Sequence, residues 1–354
     1  MKKHYLDDER KIKLSTLIYA ILIIVVAVIG ISSILAYGTQ TEIGKKISTI
    51  MSKVIPFPAA VVGYTNIVYL SDVEKDLASI EKFYQTQDLS KEGLRVDFTT
   101  SDGKKRLQIK EREILDKLVE DKIIEVLAKK RGISISQADI DKAVAQKLSD
   151  YGTANDVKND LFNSYGWSLD DFKKFVVLPN AYKEALSLSV SQQDLDDSQP
   201  KAKIEQAQKK LKNGTDFVQM VDEYSEGASK DSKGELGWVK KNQVLPELQS
   251  ALFDSKSFEK NSIIESSIGF HIVDVEDKKK DNNEDMLRIR QIFVSKNTFA
   301  DWLNEQKKEM RVMIPLSGFT WDNSSGSVDF RNEQMRTFEK NERAKAVGDA
   351  SIMF

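Results

Sequence analysis

The sequence predicts an α+β protein with three parts: a transmembrane helix near the N-terminus, an all-helical domain, and a domain with a small antiparallel sheet flanked by helices. Three observations lead to this fold class. Residues 14–37 form an uncharged apolar run, and residues 111–190 carry apolar positions at helical spacing between helix caps. Residues 201–294 mix helical segments with short strands and turns.

The apolar run at residues 14–37 (LSTLIYAILIIVVAVIGISSILAY) has 24 residues and no charge. About 20 apolar residues cross a bilayer as a helix, which predicts a membrane span and contact with lipid through this run. A cleaved signal peptide is the main alternative, but its apolar core usually has about 7–15 residues. Lys and Arg are more frequent in residues 1–13 than in the predicted stalk at 38–55. The positive-inside bias therefore predicts a single-pass protein of the cell membrane, with a cytoplasmic N-terminus and extracytoplasmic domains.

Composition excludes several kinds of chemistry. The formal net charge is -2 with scattered Lys and Arg, which makes nucleic acid a poor candidate partner. The chain has no cysteine and only two histidines, His4 and His271. Disulfides, thiolate nucleophiles and Cys/His metal clusters are therefore excluded, and we expect no metal and no cofactor. Any histidine chemistry in a folded domain must centre on His271.

Residues 56–200 are predicted to form the helical domain. A short strand at 59–63 precedes a helix that Ser71 opens and that runs towards Tyr84. The polar stretch 85–110 is predicted to be a loop or hairpin. An apolar helix at 115–131 then ends at Gly132. Pro179 is expected to kink the last helix. Three further helix starts carry a Ser or Thr cap with an acid three residues later: Ser136 with Asp139, Thr153 with Asp156, and Ser168 with Asp171.

Three segments of this domain carry a family resemblance. They are the strand-turn-helix at 59–83, the helix end at 128–133 (AKKRGI), and the sequence 165–172 (YGWSLDDF). In this order they resemble the N-terminal domain of SurA-like periplasmic chaperones. The resemblance implies a helical domain that binds unfolded polypeptides.

Residues 201–312 contain a series of short motifs that is more specific than the motifs of the helical domain. Its segments are Asn213-Gly214, Asp216-Phe217, Tyr224-Ser225, GELGW at 234–238, VLPEL at 244–248, ALF at 251–253 and IGFHIV at 268–273. In order and spacing they resemble a parvulin-type (PpiC, rotamase) peptidyl-prolyl isomerase domain. Together with the helical domain, they make the chain similar to SurA/PrsA-like foldases.

The first strand of a parvulin domain is missing from its usual place, because residues 192–200 (QQDLDDSQP) are linker-like. The alternating segment 287–294 (LRIRQIFV) can supply that strand through a hairpin. The sequence therefore predicts a circularly permuted parvulin domain. The alternative is a truncated second repeat that begins at residue 287.

The resemblance also implies the site residues. His271 matches one of two parvulin histidines, Ser266 matches a supporting hydroxyl, and Gln291 stands where the second histidine is expected. Gly227 stands at the position of a Cys or Asp. The resemblance places the proline ring among apolar residues, and here they are Leu236, Val244, Leu248 and Ile268. Several of these are smaller than is usual in the family, so the resemblance implies weak isomerase activity.

These observations predict a membrane-anchored extracytoplasmic folding factor. It would act as a peptidyl-prolyl cis-trans isomerase and chaperone on unfolded, proline-containing exported polypeptides. A non-catalytic holdase and an envelope scaffold on a degenerate parvulin fold are the alternatives. The polar tail at 313–354 is expected to be disordered.

Overall fold

The computed structural model of the chain describes residues 54–86, 97–151, 153–255, 258–281 and 284–345, together with residues 51–52 and scattered positions between 19 and 37. The chain divides into two compact units. The first contains residues 1–189 and 304–354, and the second contains residues 190–303. The predicted boundaries at 200/201 and 312/313 therefore move to 189/190 and 303/304.

The first unit begins with the antiparallel hairpin of β1 (Pro58–Val62) and β2 (Asn66–Tyr69). Gly63 turns this hairpin at a φ of 65°, a conformation that glycine adopts without strain. Helix α1 (Leu70–Thr86) follows directly, and α2 (Ser101–Lys130) begins where the amide of Gly103 donates to the Thr100 hydroxyl at 3.0 Å. The predicted loop at 85–110 is wrong from residue 101 onward. Its Lys, Arg, Leu and Gln residues favour helix, and Ile109 is buried in the core.

The described α-helices that follow in this part are α3 (Gln137–Tyr151), α4 (Ala154–Asp160), α5 (Leu169–Phe172) and α6 (Leu178–Ser189), and a π turn at Leu161–Tyr165 follows α4. The capping boxes predicted at Thr153 and Ser168 are both present. At Ser136 the hydroxyl accepts from the amide of Asp139 at 3.2 Å, and the Asp139 carboxylate accepts from the amide of Ser136 at 2.9 Å. These contacts span three residues, which is why the sequence alone predicts them.

The irregularity predicted at Pro179 takes the form of a π turn at Lys173–Val177, immediately before α6. Proline has no amide hydrogen with which to bond the carbonyl four residues earlier. That carbonyl belongs to Phe175, and it accepts instead from Lys117 Nζ at 3.2 Å. The helix therefore continues through the proline with a local change of geometry.

The second unit contains α7 (Ser198–Lys212), α8 (Phe217–Tyr224), β3 (Glu235–Lys240), α9 (Pro246–Gln249), β4 (Ile263–Glu265), β5 (Gly269–Asp281) and β6 (Glu284–Ser295). The four strands form an antiparallel sheet in the order β3-β6-β5-β4. Ile272 and Ile292 face α7 and α8 in one buried cluster. Val273 and Ile289 face α9 in a second cluster on the opposite side of the sheet.

Strand β6 contains the segment 287–294 and lies between β3 and β5. The pairing predicted between this segment and the strand at 270–275 is present, with Phe270 opposite Val294 and Val275 opposite Ile289. Residues 287–294 are therefore part of this sheet rather than the beginning of a second domain.

Helix α10 (Phe299–Glu309) leads the chain back to the first unit, where β7 (Val312–Met313), the hairpin of β8 (Phe319–Asp322) and β9 (Ser327–Phe330), and α11 (Glu333–Lys345) follow. Strand β7 pairs with β1, and Arg112 of α2 binds Glu339 of α11 at 2.9 Å. The prediction of a disordered tail at 313–354 is wrong as far as residue 345. Its polar residues find partners on α2, more than 200 positions away, which local patterns cannot reveal.

The predicted transmembrane helix at 14–37 falls mostly outside the described residues. In the described part of the chain, no helix combines the length and the apolar character needed to cross a bilayer, which takes about 20 apolar residues. The predicted fold class is corrected accordingly: the described chain is a mixed helix and sheet protein without that element. Residues 1–13 and most of the predicted stalk at 38–55 also lie outside the described residues.

Candidate active site on the sheet of the second unit

The candidate site lies on the face of the sheet that carries α9. His271 is on β5 and Gln291 is on β6, and they occupy diagonal positions because Gln291 pairs with Val273. Alternation along a strand places both side chains on the same face as Val273. Gly234 lets the neighbouring loop approach β6 closely, since a Cβ there would lie 2.6 Å from the carbonyl oxygen of Gln291. The amide of Gln291 donates to the carbonyl of Gly234 at 2.9 Å.

Both ring nitrogens of His271 are engaged. Nδ1 lies 3.2 Å from Gln291 Oε1, and Nε2 lies 2.8 Å from the Ser266 hydroxyl. Ser266 is itself fixed in the β4–β5 turn, where its hydroxyl accepts from the amide of Gly269 at 3.2 Å. The predicted trio of Ser266, His271 and Gln291 is therefore brought together by the fold, although Gln291 is 20 residues from His271.

The partners determine the protonation of the ring. An amide oxygen can only accept, so with Gln291 Oε1 as its partner Nδ1 carries the proton. Nε2 of the neutral ring then accepts from the Ser266 hydroxyl at 2.8 Å, and the Gly269 carbonyl, at 3.1 Å, is a second acceptor for the same hydroxyl proton. Burial lowers the pKa of His271, while the Gln291 hydrogen bond and the charge of Glu247 act in the opposite direction. His271 is only 3% exposed and is neutral at pH 7.

Phe293 covers one side of the histidine. Its ring centroid lies 4.9 Å from that of His271. A Cβ on Gly227 would lie 3.4 Å from Phe293 Cβ and Cδ1, so the position matched to a Cys or Asp borders this ring. Gly269 is packed more tightly, since a Cβ there would lie 2.5 Å from Phe293 Cε2. We did not predict a role for Phe293, although its position two residues after Gln291 places it on the same face.

The four predicted apolar residues divide into two pairs. Leu236 and Ile268 are 40% and 53% exposed, so they offer apolar surface to a ligand. Leu248 is 3% exposed and belongs to the cluster around Val273, with Val244 packed against it. The first pair is open to solvent, whereas the second pair supports the sheet on the side of His271.

Glu247 is a second residue for which the sequence predicted no role. Its Oε1 accepts from the amide of Ser267 at 2.9 Å, which anchors the turn that holds Ser266. Hydrogen bonds from its own amide and from that of Ser267 lower the pKa of Glu247, and the charge of His271 acts in the same direction. Its Oε2 is buried and has no hydrogen-bond partner within the described chain. The sequence did contain a sign of such a role, because Glu247 is part of the VLPEL segment at 244–248 and lies in the first turn of α9.

This arrangement suits non-covalent chemistry. A neutral, buried histidine with both nitrogens occupied is a poor nucleophile and has no proton free to transfer. The weakly polar surface here comes from Phe293, which lies half-buried against the buried His271, and from the exposed Ile268, three residues before His271 in the chain. Such a surface can hold an apolar ring and keep water from a neighbouring amide.

The sequence of the second unit also matches a known protein family. Residues 184–277 match the family model described as Rotamase, the PPIC-type PPIASE domain. The resemblance to SurA/PrsA-like parvulin foldases is confirmed. The matched segment ends before β6, so the strand that carries Gln291 and Phe293 lies outside it.

Named relatives of this chain are also foldases and chaperones. The foldase protein PrsA of Staphylococcus epidermidis is 27% identical over 222 residues, which cover 53% of this chain and 67% of the relative. Foldase protein PrsA 2 of Bacillus anthracis is 29% identical over 194 residues, or 51% of this chain and 66% of the relative. The chaperone SurA of Methylobacillus flagellatus is 29% identical over 120 residues, or 32% and 28% of the two chains. The chain thus spans about two thirds of these PrsA proteins and a smaller part of SurA.

Proposed function

We propose that this chain is a folding factor for unfolded exported polypeptides, and that its second unit weakly catalyses cis-trans isomerisation of peptidyl-prolyl bonds. The observation that carries the proposal is His271, held neutral between Ser266 and Gln291 beside the ring of Phe293. The similarity to PrsA foldases and SurA chaperones supports the polypeptide substrate class and an extracytoplasmic site of action.

The proposed catalysis follows from the physics of the amide. Rotation about an X–Pro bond faces a barrier of about 18–20 kcal/mol, because twisting removes amide resonance. Water and cations stabilise the planar form through its more negative carbonyl oxygen. Phe293, Ile268 and Leu236 would hold the proline ring and displace that water, and the neutral His271 adds no positive charge that would favour the planar amide.

The site also has features that favour a holdase. Gly227 offers no side chain where a Cys or Asp is expected, and Gln291 does not titrate. With these groups absent, the unit could bind polypeptide without accelerating isomerisation. A holdase is therefore the second candidate function.

Refolding of a client with a proline-limited slow phase separates the two functions. The full chain should accelerate this phase, and His271→Ala should reduce the catalysed rate about tenfold, which corresponds to about 1.4 kcal/mol. Ile268→Ser should also reduce it, and this exposed side chain can be changed without disturbing the core. Leu188→Ala, at an 83% exposed position in the first unit, is the matched control and should behave as wild type.

Three outcomes are informative. Acceleration that Ile268→Ser and His271→Ala both weaken supports the isomerase. Suppressed aggregation of the client without any acceleration of the slow phase supports the holdase. If the chain neither accelerates the slow phase nor suppresses aggregation, both candidate functions are wrong.

A further inference from the structure

The turn at residues 266–269, between β4 and β5, carries two groups of the candidate site. One is the Ser266 hydroxyl, which lies 2.8 Å from His271 Nε2. The other is the Ile268 side chain, which is 53% exposed and open to a substrate. A movement of this turn therefore shifts a hydrogen-bond partner of the histidine and an apolar contact surface together.

Two hydrogen bonds from other elements hold the turn in place. The amide of Lys296, which follows β6, donates to the carbonyl of Ile268 at 3.0 Å. From the side of α9, Glu247 Oε1 accepts from the amide of Ser267 at 2.9 Å. The first bond joins two backbone groups, which any residues would supply. The second bond is made by a side chain, so it depends on the residue type at position 247.

The backbone that carries Glu247 is itself fixed. Leu248 is 3% exposed and belongs to the buried cluster between α9 and the sheet. The amide of Gln249 donates to the carbonyl of Leu245 at 2.8 Å, and its Nε2 donates to the carbonyl of Val244 at 2.9 Å. Because α9 is held against the sheet in this way, the Glu247 carboxylate has a fixed position from which to hold the turn.

The Glu247 carboxylate faces the protein and not the substrate side of the site. Its Oε2 is buried, so neither a ligand nor solvent reaches that oxygen. Hydrogen bonds from its own amide and from that of Ser267 lower the pKa of Glu247, so the group is ionised at neutral pH. Hydrogen bonds to an ionised acceptor are stronger than those between neutral groups. Glu247 is therefore suited to hold Ser267 and not to act on the substrate itself.

We propose that Glu247 is a positioning residue of the isomerase site. It holds the turn at 266–269 so that the Ser266 hydroxyl stays on His271 Nε2 and Ile268 stays beside the bound proline. This inference rests on the proposed function, because it assigns a further residue to the same site. The role belongs to the acceptor oxygen of the side chain and not to its charge, since His271 is neutral at pH 7.

Two substitutions in the full chain separate the acceptor from the charge. Glu247→Ala removes both, whereas Glu247→Gln removes the charge and keeps an acceptor oxygen. In refolding of a proline-limited client, Glu247→Ala should reduce the catalysed rate about 3- to 10-fold, and Glu247→Gln should stay within about twofold of wild type. Glu223→Ala is the matched control, because this carboxylate binds Lys210 at 2.6 Å on α8, which covers the opposite face of the sheet. It should behave as wild type.

Amide exchange tests whether Glu247 acts on the turn. In Glu247→Ala the Ser267 amide loses its acceptor and should exchange about tenfold faster, while Glu247→Gln should keep its protection. The amides of Ile272 and Ile292, in the middle of the sheet, should exchange as in wild type in both variants. Equal acceleration at Ser267, Ile272 and Ile292 in Glu247→Ala would show that Glu247 only stabilises the unit, and would overturn the proposal.

The imidazole of His271 gives a second readout that a purely structural role would not change. The chain has two histidines, so ¹⁵N spectra contain two sets of ring signals, and His271→Ala identifies one set. In Glu247→Ala the His271 Nε2 signal should move at pH 7, because the Ser266 hydroxyl no longer stays on it. In Glu247→Gln that signal should keep its place at pH 7, but the pKa of His271 should fall, since the charge of Glu247 raises it.

The remaining outcomes distinguish this role from the proposed function. An equal loss of catalysed rate in Glu247→Gln and Glu247→Ala would assign the effect to the charge and refute the positioning role. Acceleration of refolding by wild type that Glu247→Ala leaves intact would refute the role of Glu247 alone. A loosened Ser267 amide and a shifted His271 signal in Glu247→Ala, in a chain that never accelerates refolding, would uphold the anchoring of the turn and refute the isomerase activity.

Discussion

Gly269→Ala should destabilise the second unit, because the glycine lies against two rigid neighbours. An added Cβ would lie 2.4 Å from the carbonyl oxygen of Val294 and 2.5 Å from Phe293 Cε2. Favourable carbon contacts occur at about 3.5–4.0 Å, so the overlap is roughly 1 Å. The carbonyl of Val294 belongs to the β5–β6 pairing and cannot retreat without disturbing it. Overpacking of this kind costs about 1–3 kcal/mol, and contact with backbone places the expected loss at about 2–3 kcal/mol.

Native-state hydrogen exchange measures this loss within the full chain. Peptides from β5 and β6 should exchange about 30- to 150-fold faster in Gly269→Ala, if exchange follows opening of the second unit. Gly227→Ala is the matched control, since its Cβ would lie 3.4 Å from the same Phe293 ring and its φ of -73° suits any residue. That control should stay within about 0.5 kcal/mol of wild type.

A double variant locates the strain. Phe293→Ala removes the ring contacts of the new Cβ but leaves its contact with the Val294 carbonyl. Gly269→Ala combined with Phe293→Ala should therefore lose less stability than the sum of the single variants. Wild-type exchange rates in Gly269→Ala, or equally fast exchange in Gly227→Ala, would refute the packing argument.

Two further predictions concern pH and the C-terminal segment. Burial lowers the pKa of His271, so the unfolded chain binds this proton more readily than the folded chain does. The free energy of unfolding of the second unit should therefore fall as the pH drops below about 6.5, the pKa of histidine in the unfolded chain, and should level off below the pKa of His271 in the folded chain. Between these two pKa values, His271→Gln should flatten the pH profile of denaturant unfolding. Deleting residues 333–354 removes Glu342, which binds Arg106 and is only 5% exposed, and Glu339, which binds Arg112. Calorimetry should then show the first unit unfolding at a temperature several degrees lower, because a loss of 1 kcal/mol corresponds to about 2–4 °C in a domain of this size. The unfolding temperature of the second unit should not change.

Local rules predicted a large part of the fold. The caps at Ser136, Thr153 and Ser168 are contacts across three residues, so the residues that make them are visible in the sequence. The strand at 287–294 was predicted from its alternation, and its place beside β5 followed from the short connection between them. The trio of Ser266, His271 and Gln291 came from the family resemblance combined with that strand.

Other features had a weak local signal or none. Residues 101–110 are mostly polar and were predicted to be a loop, yet they form the first turns of a 30-residue helix that the Thr100 cap begins. Residues 313–345 read as a disordered tail, yet the amide of Val328 donates to Asp116 Oδ1 at 2.7 Å. Charge complementarity between segments about 200 residues apart has no periodicity that a sequence can display.

The sequence by itself determined where the helices capped by Ser136, Thr153 and Ser168 begin, which strand faces are apolar, and which residue types are available for chemistry. Each of these depends on neighbours a few positions away, or on composition, as in the absence of cysteine. Only the tertiary structure decided that Phe293 lies against His271, that Glu247 anchors the turn of Ser266, and that five aromatic residues line one cavity. The reason is physical: side-chain packing depends on how distant segments of the chain approach one another, and spacing along the chain does not specify that approach.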